Sequence, residues 1–227
     1  MSAYHPGQAI EHLPVSVHVN SARLEGYLNL PSQASGVVVF AHGSGSSRHS
    51  PRNRYVAGIL NEGSLATLLI DLMDADEQAV DLQTSQLRFD IPFLAARLVA
   101  VTQWLREQPQ VAGLRPALNI GYFGASTGAG AALVAAAELP RLIHAVVSRG
   151  GRPDLAGEAL ESVEASTLAI VGGNDPVVLD LNRQALARMH CSKALHMIPG
   201  ASHLFQEPGA LEQVAKLAHA WFAEELS

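Results

Sequence analysis

The stretch Leu118-Asn119-Ile120-Gly121-Tyr122-Phe123-Gly124-Ala125-Ser126-Thr127-Gly128 decides the fold. Leu118–Phe123 reads as a short, largely apolar strand, and Ala129 to Ala137 continues as a buried helix of small residues. Between them, Gly124 to Gly128 match G-x-S-x-G, a strand-to-helix turn that projects a serine above the carboxyl ends of a parallel sheet. The flanking glycines belong there because neighbouring side chains would collide. The N–H of Thr127, in the first helical turn, is then available to a developing oxyanion.

Outward from the turn, similar apolar runs recur at Val37–Ala41, Ala66–Ile70, His144–Ser148, Thr167–Val171 and Ala194–Ile198. They do not alternate, as expected of strands covered on both faces. Helical patterns lie between or after them at Arg52–Asn61, Ile91–Glu107, Thr127–Glu138, Leu179–Met189 and Gly209–Glu225. The last has one apolar stripe, Leu211, Val214, Leu217, Ala218, Trp221 and Phe222. Upstream, Val15, Val17 and Val19 alternate with polar residues, and Arg23 to Leu30 follows the turn residues Asn20-Ser21, which reads as an antiparallel hairpin. The expected fold is α/β: an eight-stranded, mostly parallel sheet with an N-terminal antiparallel hairpin and helices on both faces. Residues 1–227 read as a single domain. Only 18 residues separate Ser148 from Thr167, enough for a short helix and loops but not for a cap domain. An open site follows.

A serine hydroxyl is a weak nucleophile near neutral pH and needs a base, which itself needs an orienting acid. On such a sheet the chain order is serine, acid, histidine, each after a strand. Gly172-Gly173-Asn174-Asp175-Pro176 follows one predicted strand, and Asp175 is its only carboxylate. Pro199-Gly200-Ala201-Ser202-His203 follows the next. Ser126, Asp175 and His203 are the candidate catalytic residues. A second oxyanion donor is expected from His42-Gly43-Ser44-Gly45-Ser46-Ser47, at Ser44 or else at Gly43. Arg48, Arg149 and Arg152 follow strand ends and are candidates for binding an anionic substrate group, although pairing with nearby acids explains them equally well. Asp71 reads as a loop-organising acid, Asp180 as a surface residue, and His42 as a residue packed beneath its loop.

The elbow, the HGSGSS loop, the GGNDP acid loop and the PGASHLF histidine loop together resemble the dienelactone-hydrolase-like branch of the α/β-hydrolases. The resemblance runs from about Val15 to the last helix. It implies an uncapped fold that hydrolyses small esters or lactones. One departure is visible: dienelactone hydrolases proper use a cysteine nucleophile, whereas Ser126 stands here and the single Cys191 lies elsewhere.

Competing readings fail on position. GASTGAG also resembles the glycine loop of short-chain dehydrogenases, but it lies past mid-chain and no tyrosine follows Tyr122. No Gly-Lys-Ser/Thr marks a P-loop, and no His-Glu-x-x-His or Cys/His cluster marks a metal site. The proposed chemistry calls for no metal or organic cofactor. An acyltransferase or peptidase with the same three residues, or an inactive interaction module on this scaffold, remain the alternatives. A net charge of −6 argues against a nucleic-acid partner. No apolar run reaches the ~20 residues of a membrane span, MSAYHPGQAI lacks the pattern of a secretory signal, and one cysteine suits a reducing compartment. A cytoplasmic protein acting on a small-molecule ester is expected, with its oligomeric state open.

Overall fold

A computed structural model describes residues 9–108, 111 and 118–227. The N-terminal segment read above for a secretory signal lies, up to residue 8, outside the described residues. Eight strands form one sheet in the order β1-β2-β4-β3-β5-β6-β7-β8. They are β1 (Ile10–Val19), β2 (Ala22–Pro31), β3 (Gly36–Ala41), β4 (Leu65–Ile70), β5 (Asn119–Ala125), β6 (Ile143–Arg149), β7 (Ser166–Gly172) and β8 (Lys193–Ile198). β1 pairs antiparallel with β2, and β2 with β4. The pairs from β4 through β8 are all parallel. The hairpin turns at Asn20, whose φ of 55° is the left-handed conformation that asparagine tolerates.

Among the described residues the longer α-helices are α1 (Pro51–Glu62), α2 (Ala75–Thr84), α3 (Ile91–Glu107), α4 (Thr127–Glu138), α5 (Pro176–Arg188) and α6 (Ala210–Glu225). Central strands are buried along their whole length because both faces are covered. On one side Val37, Val39, Tyr122 and Val146 meet α3 and α4. On the other, Val38, Phe40, Phe123 and Val147 meet α1 and α6, where Phe222 is fully buried. Truncating such a phenylalanine to alanine costs about 3–5 kcal/mol. Successive residues along a strand thus alternate between two separate cores, while residues two apart share one, which fixes the face each strand-end side chain takes.

The connection from β6 to β7 holds a 3-10 helix at Pro153–Ser162, with Gly157 at φ 56° between its turns, and no cap. α2 is an element that the apolar pattern did not reveal. Its only buried residue is Asp81, so it carries no apolar stripe. Its N-terminus is nonetheless marked by a capping box in which Asp74 and Glu77 exchange bonds with each other's backbone N–H. No helix among the described residues is long and apolar enough to cross a membrane.

Candidate active site

β5 delivers Ser126 to the carboxyl edge of the sheet with φ 51° and ψ −122°. A non-glycine residue held there stores about 1–3 kcal/mol of backbone strain, and such strain persists only where surroundings over-determine it. Here they do. The Ser126 N–H donates to Arg149 O at 3.3 Å, and the Ser126 carbonyl accepts from Arg152 N at 3.0 Å and Ala129 N at 3.1 Å. The flanking glycines are sterically required. A Cβ on Gly124 would lie 2.4 Å from Ala129 Cα, and one on Gly128 would lie 2.3 Å from Ala41 O.

Asp175 follows β7 and sits at the N-cap of α5, yet its side chain makes no capping bond. Its carboxylate instead meets His203, with Oδ2 2.7 Å from Nδ1. The loops carrying the two residues are stitched together. Gly173 N donates to Ile198 O at 2.8 Å, Asn174 N to Ala201 O at 2.9 Å, and the Asn174 amide to Gly200 O at 2.9 Å. The Asp175 side chain is 16% exposed and that of His203 39%, so the acid is shielded while the ring is reachable. His203 also abuts the end of β6, because a Cβ on Gly150 would lie 3.6 Å from its Cε1. Since Arg149 O receives the Ser126 N–H, the imidazole and the serine belong to the same corner of the sheet. Val177 and Leu204, near the acid and beside the histidine in sequence, leave apolar side chains exposed.

The loop after β3 closes the other side. A Cβ on Gly43 would lie 3.0 Å from Ser126 Cβ, so this backbone packs directly against the serine. Ser44 N–H donates to Thr127 Oγ1 at 3.0 Å. The two residues expected to supply oxyanion donors are therefore bonded to each other, and Thr127 is 3% exposed. His42 lies beneath the loop, bonded to Gly43 O at 3.1 Å and accepting from Leu72 N at 3.3 Å. Burial is the main cause holding its pKa below 6.5.

The three candidate arginines separate. Arg48 pairs with Asp71, which also accepts the Arg48 N–H at 2.6 Å, confirming Asp71 as a loop organiser. Arg152 forks onto Asp154 at 2.8 and 2.7 Å. Both guanidinium groups are thus engaged by a neighbouring carboxylate. Arg149 has no such partner. It is 7% exposed, and burial, with Arg52 beside it, pushes its guanidinium down to about 10. Arg88, on the segment after α2, clamps Asp81 through Nε at 2.6 Å. Asp180 is exposed, as expected of a surface residue. Among the described residues no cluster of three or more His, Cys, Asp or Glu is arranged to hold a metal ion.

A family model described as the dienelactone hydrolase family matches residues 24–224. A crystal structure of a dienelactone hydrolase from Anabaena variabilis is 56% identical, with a TM-score of 0.92 over 96% of this chain and 99% of that one. Est1E from Butyrivibrio proteoclasticus shares the fold at 17% identity, with a TM-score of 0.76 over 93% of this chain and 98% of that one. A Mycobacterium tuberculosis protein bearing the provisional name of phosphoribosyl transferase is 56% identical over 213 residues. That match takes in 93% of this chain but 46% of the relative, so the chain spans about half the length of the curated relatives it matches.

Proposed function

This chain belongs to the dienelactone hydrolase family, and we propose that it is a serine hydrolase of small carboxylic esters or lactones acting through Ser126, His203 and Asp175. The observation that carries the reading is the Asp175–His203 bond of 2.7 Å at the corner where Ser126 is held at positive φ. A carboxylate on Nδ1 fixes the tautomer that leaves Nε2 as the base.

In the first half-reaction Ser126 Oγ attacks the substrate carbonyl carbon and its proton passes to His203 Nε2. Negative charge gathers on the carbonyl oxygen, opposite the Thr127 N–H and a second N–H from the loop at Gly43 and Ser44. Collapse breaks the bond to the leaving alkoxide, which takes the proton from Nε2 and leaves an acyl-serine. In the second half-reaction Nε2 accepts a proton from water as that water attacks the acyl carbon. The acid departs, and the proton returns to Ser126 Oγ. Asp175 stabilises each transient imidazolium without being protonated itself. Every bond made or broken is accounted for without a metal or organic cofactor.

The exposed Val177 and Leu204 suit an apolar substituent on the substrate. The transferase name belongs to relatives about twice as long, and we ascribe the hydrolase chemistry to the half matched here. A cytoplasmic setting accords with the single, half-buried Cys191. The test is a panel of small esters, lactones and thioesters together with a fluorophosphonate label. Ser126→Ala should lower turnover about 10⁴-fold or more and abolish labelling. Unlabelled, inactive native protein would refute the reading.

A further inference from the structure

Arg149 ends β6 in phase with Ala145 and Val147, so its side chain enters the face covered by α1 and α6. There it is surrounded but not neutralised. Its Nε is buried with no hydrogen-bond partner. Nη2 reaches Asn53 Oδ1 only at 3.5 Å, the limit of a bond, and the guanidinium stands 6.0 Å from the centre of the Phe205 ring. No carboxylate among the described residues pairs with it, and the charge it feels most is the like charge of Arg52. The Arg52 Nε is likewise buried without a partner, and Arg52 forms no ion pair among the described residues.

Two guanidinium groups thus come near each other at the start of α1, Arg149 through its contact with Asn53. The first turn of that helix carries no acidic residue, so its N–H groups add positive potential. Burying a guanidinium unpaired beside another cation is costly, and the cost is recovered when an anion fills the gap. A cleft of about 430 Å³ is lined in part by Arg52, Tyr55, Phe205, Glu207 and Glu212, and Arg149 stands next to it across the Phe205 ring. Neither glutamate supplies the missing charge. Glu212 is drawn to Lys216 at 2.6 Å, and Glu207, although its Oε2 is itself buried without a hydrogen-bond partner, forms no ion pair with either arginine among the described residues.

We propose that Arg149 and Arg52 form a subsite for a small oxyanion, a carboxylate or phosphate, behind the loop that carries His203. Phe205 lies two residues after His203, and Arg149 O receives the Ser126 N–H, so the subsite adjoins the reacting corner. If the oxyanion belongs to the substrate, the site selects acidic esters, a deepening that rests on the hydrolase reading above. Binding of a free anion does not depend on it.

The experiment therefore has two arms. In the first, inorganic phosphate is titrated against the full chain carrying Ser126→Ala, and the thermal midpoint is followed. A concentration-dependent rise is expected, lost in Ser126→Ala/Arg149→Met and reduced in Ser126→Ala/Arg52→Gln. Adding Glu207→Gln instead should enlarge it, because a rival negative charge has gone. No rise, or an equal rise with Arg149→Met, overturns the subsite whatever the enzyme hydrolyses. In the second arm a monoanionic ester and its neutral counterpart are compared in otherwise native protein. A KM increase for Arg149→Met at least tenfold larger on the anionic ester assigns the oxyanion to the substrate, whereas an unchanged ratio assigns the subsite to a free anion. Arg52→Gln, on an accessible helical turn, keeps both arms readable if Arg149→Met does not fold.

Discussion

Two histidine–aspartate neighbourhoods lie at the carboxyl edge of the same sheet, His42 near Asp71 and His203 with Asp175. Their residue types are the same and their chemistry is not. His42 is 6% exposed and both its ring nitrogens are spent, Nδ1 on Gly43 O and Nε2 on the Leu72 N–H. Asp71 is spent too, on the backbone and side chain of Arg48. His203 commits only Nδ1, to Asp175 Oδ2, and among the described residues its Nε2 makes no hydrogen bond. A histidine with both nitrogens occupied holds a loop, and one with a nitrogen to spare can move a proton. The loop after β3 rests on the first kind, and the second stands beside the turn that holds Ser126.

The sharpest way to break this comparison is to remove the charge from each aspartate in turn. Asp175→Asn should lower kcat by about 10³–10⁴ while the protein still folds, because the imidazole loses the tautomer that leaves Nε2 basic. Asp71→Asn should do the reverse. It leaves the Arg48 guanidinium without its counter-charge, costing about 1–3 kcal/mol since Arg48 is 23% exposed and can reach water. At roughly 2–4 °C per kcal/mol the thermal midpoint should fall by about 2–12 °C. Steady-state rates and melting curves on both variants check this. Equal losses of rate would erase the distinction.

Next in size is the dependence of stability on pH. The ring of His42 must accept from Leu72 N–H, so protonating Nε2 breaks that bond, in keeping with a folded pKa below the ordinary 6.5. The unfolded chain then binds the proton more readily, and stability rises with pH. The contribution of His42 is fully present above about pH 6.5 and is lost as pH falls from there through the folded value. The slope is at most about 1.4 kcal/mol per pH unit for one proton. Urea melts at several pH values should show the native protein weakening toward pH 5 more steeply than His42→Gln. Parallel curves would place the acid sensitivity elsewhere.

Much of this site was legible because its framework is made of contrasts that sequence displays. Apolar runs gave the strands, and glycine-rich turns at their ends gave the elbow, the acid loop and the histidine loop. Pro176 at the first helical position would also have placed the start of α5 three residues earlier than its apolar pattern did. α2 was missed because burial of a lone Asp81 leaves no stripe, although Asp74 and Glu77 spell its capping box. The fates of Arg48, Arg149 and Arg152 were harder. Whether an arginine meets an acid depends on where its long side chain turns after the strand ends, and no spacing rule encodes that. Only Arg149 was partly readable, since period two puts it on the face of Ala145 and Val147.

The smallest effect concerns the bond that joins the two expected oxyanion donors. Thr127 Oγ1 accepts the Ser44 N–H at 3.0 Å, and Thr127 is buried, so Val in its place keeps shape and removes only the acceptor. If the hydroxyl holds the loop at the distance that the transition state needs, Thr127→Val should lower kcat about fivefold, the worth of one ordinary hydrogen bond of about 1 kcal/mol. KM should change little, because the ground-state carbonyl draws less on these donors than the oxyanion does. Thr127→Ser, which restores the oxygen, should recover the rate. A faster Thr127→Val enzyme would mean that the hydroxyl competes with the oxyanion for the Ser44 N–H. The donor would then have to be freed before each turnover, and the loop against Ser126 would be no more committed to structure than His203 is.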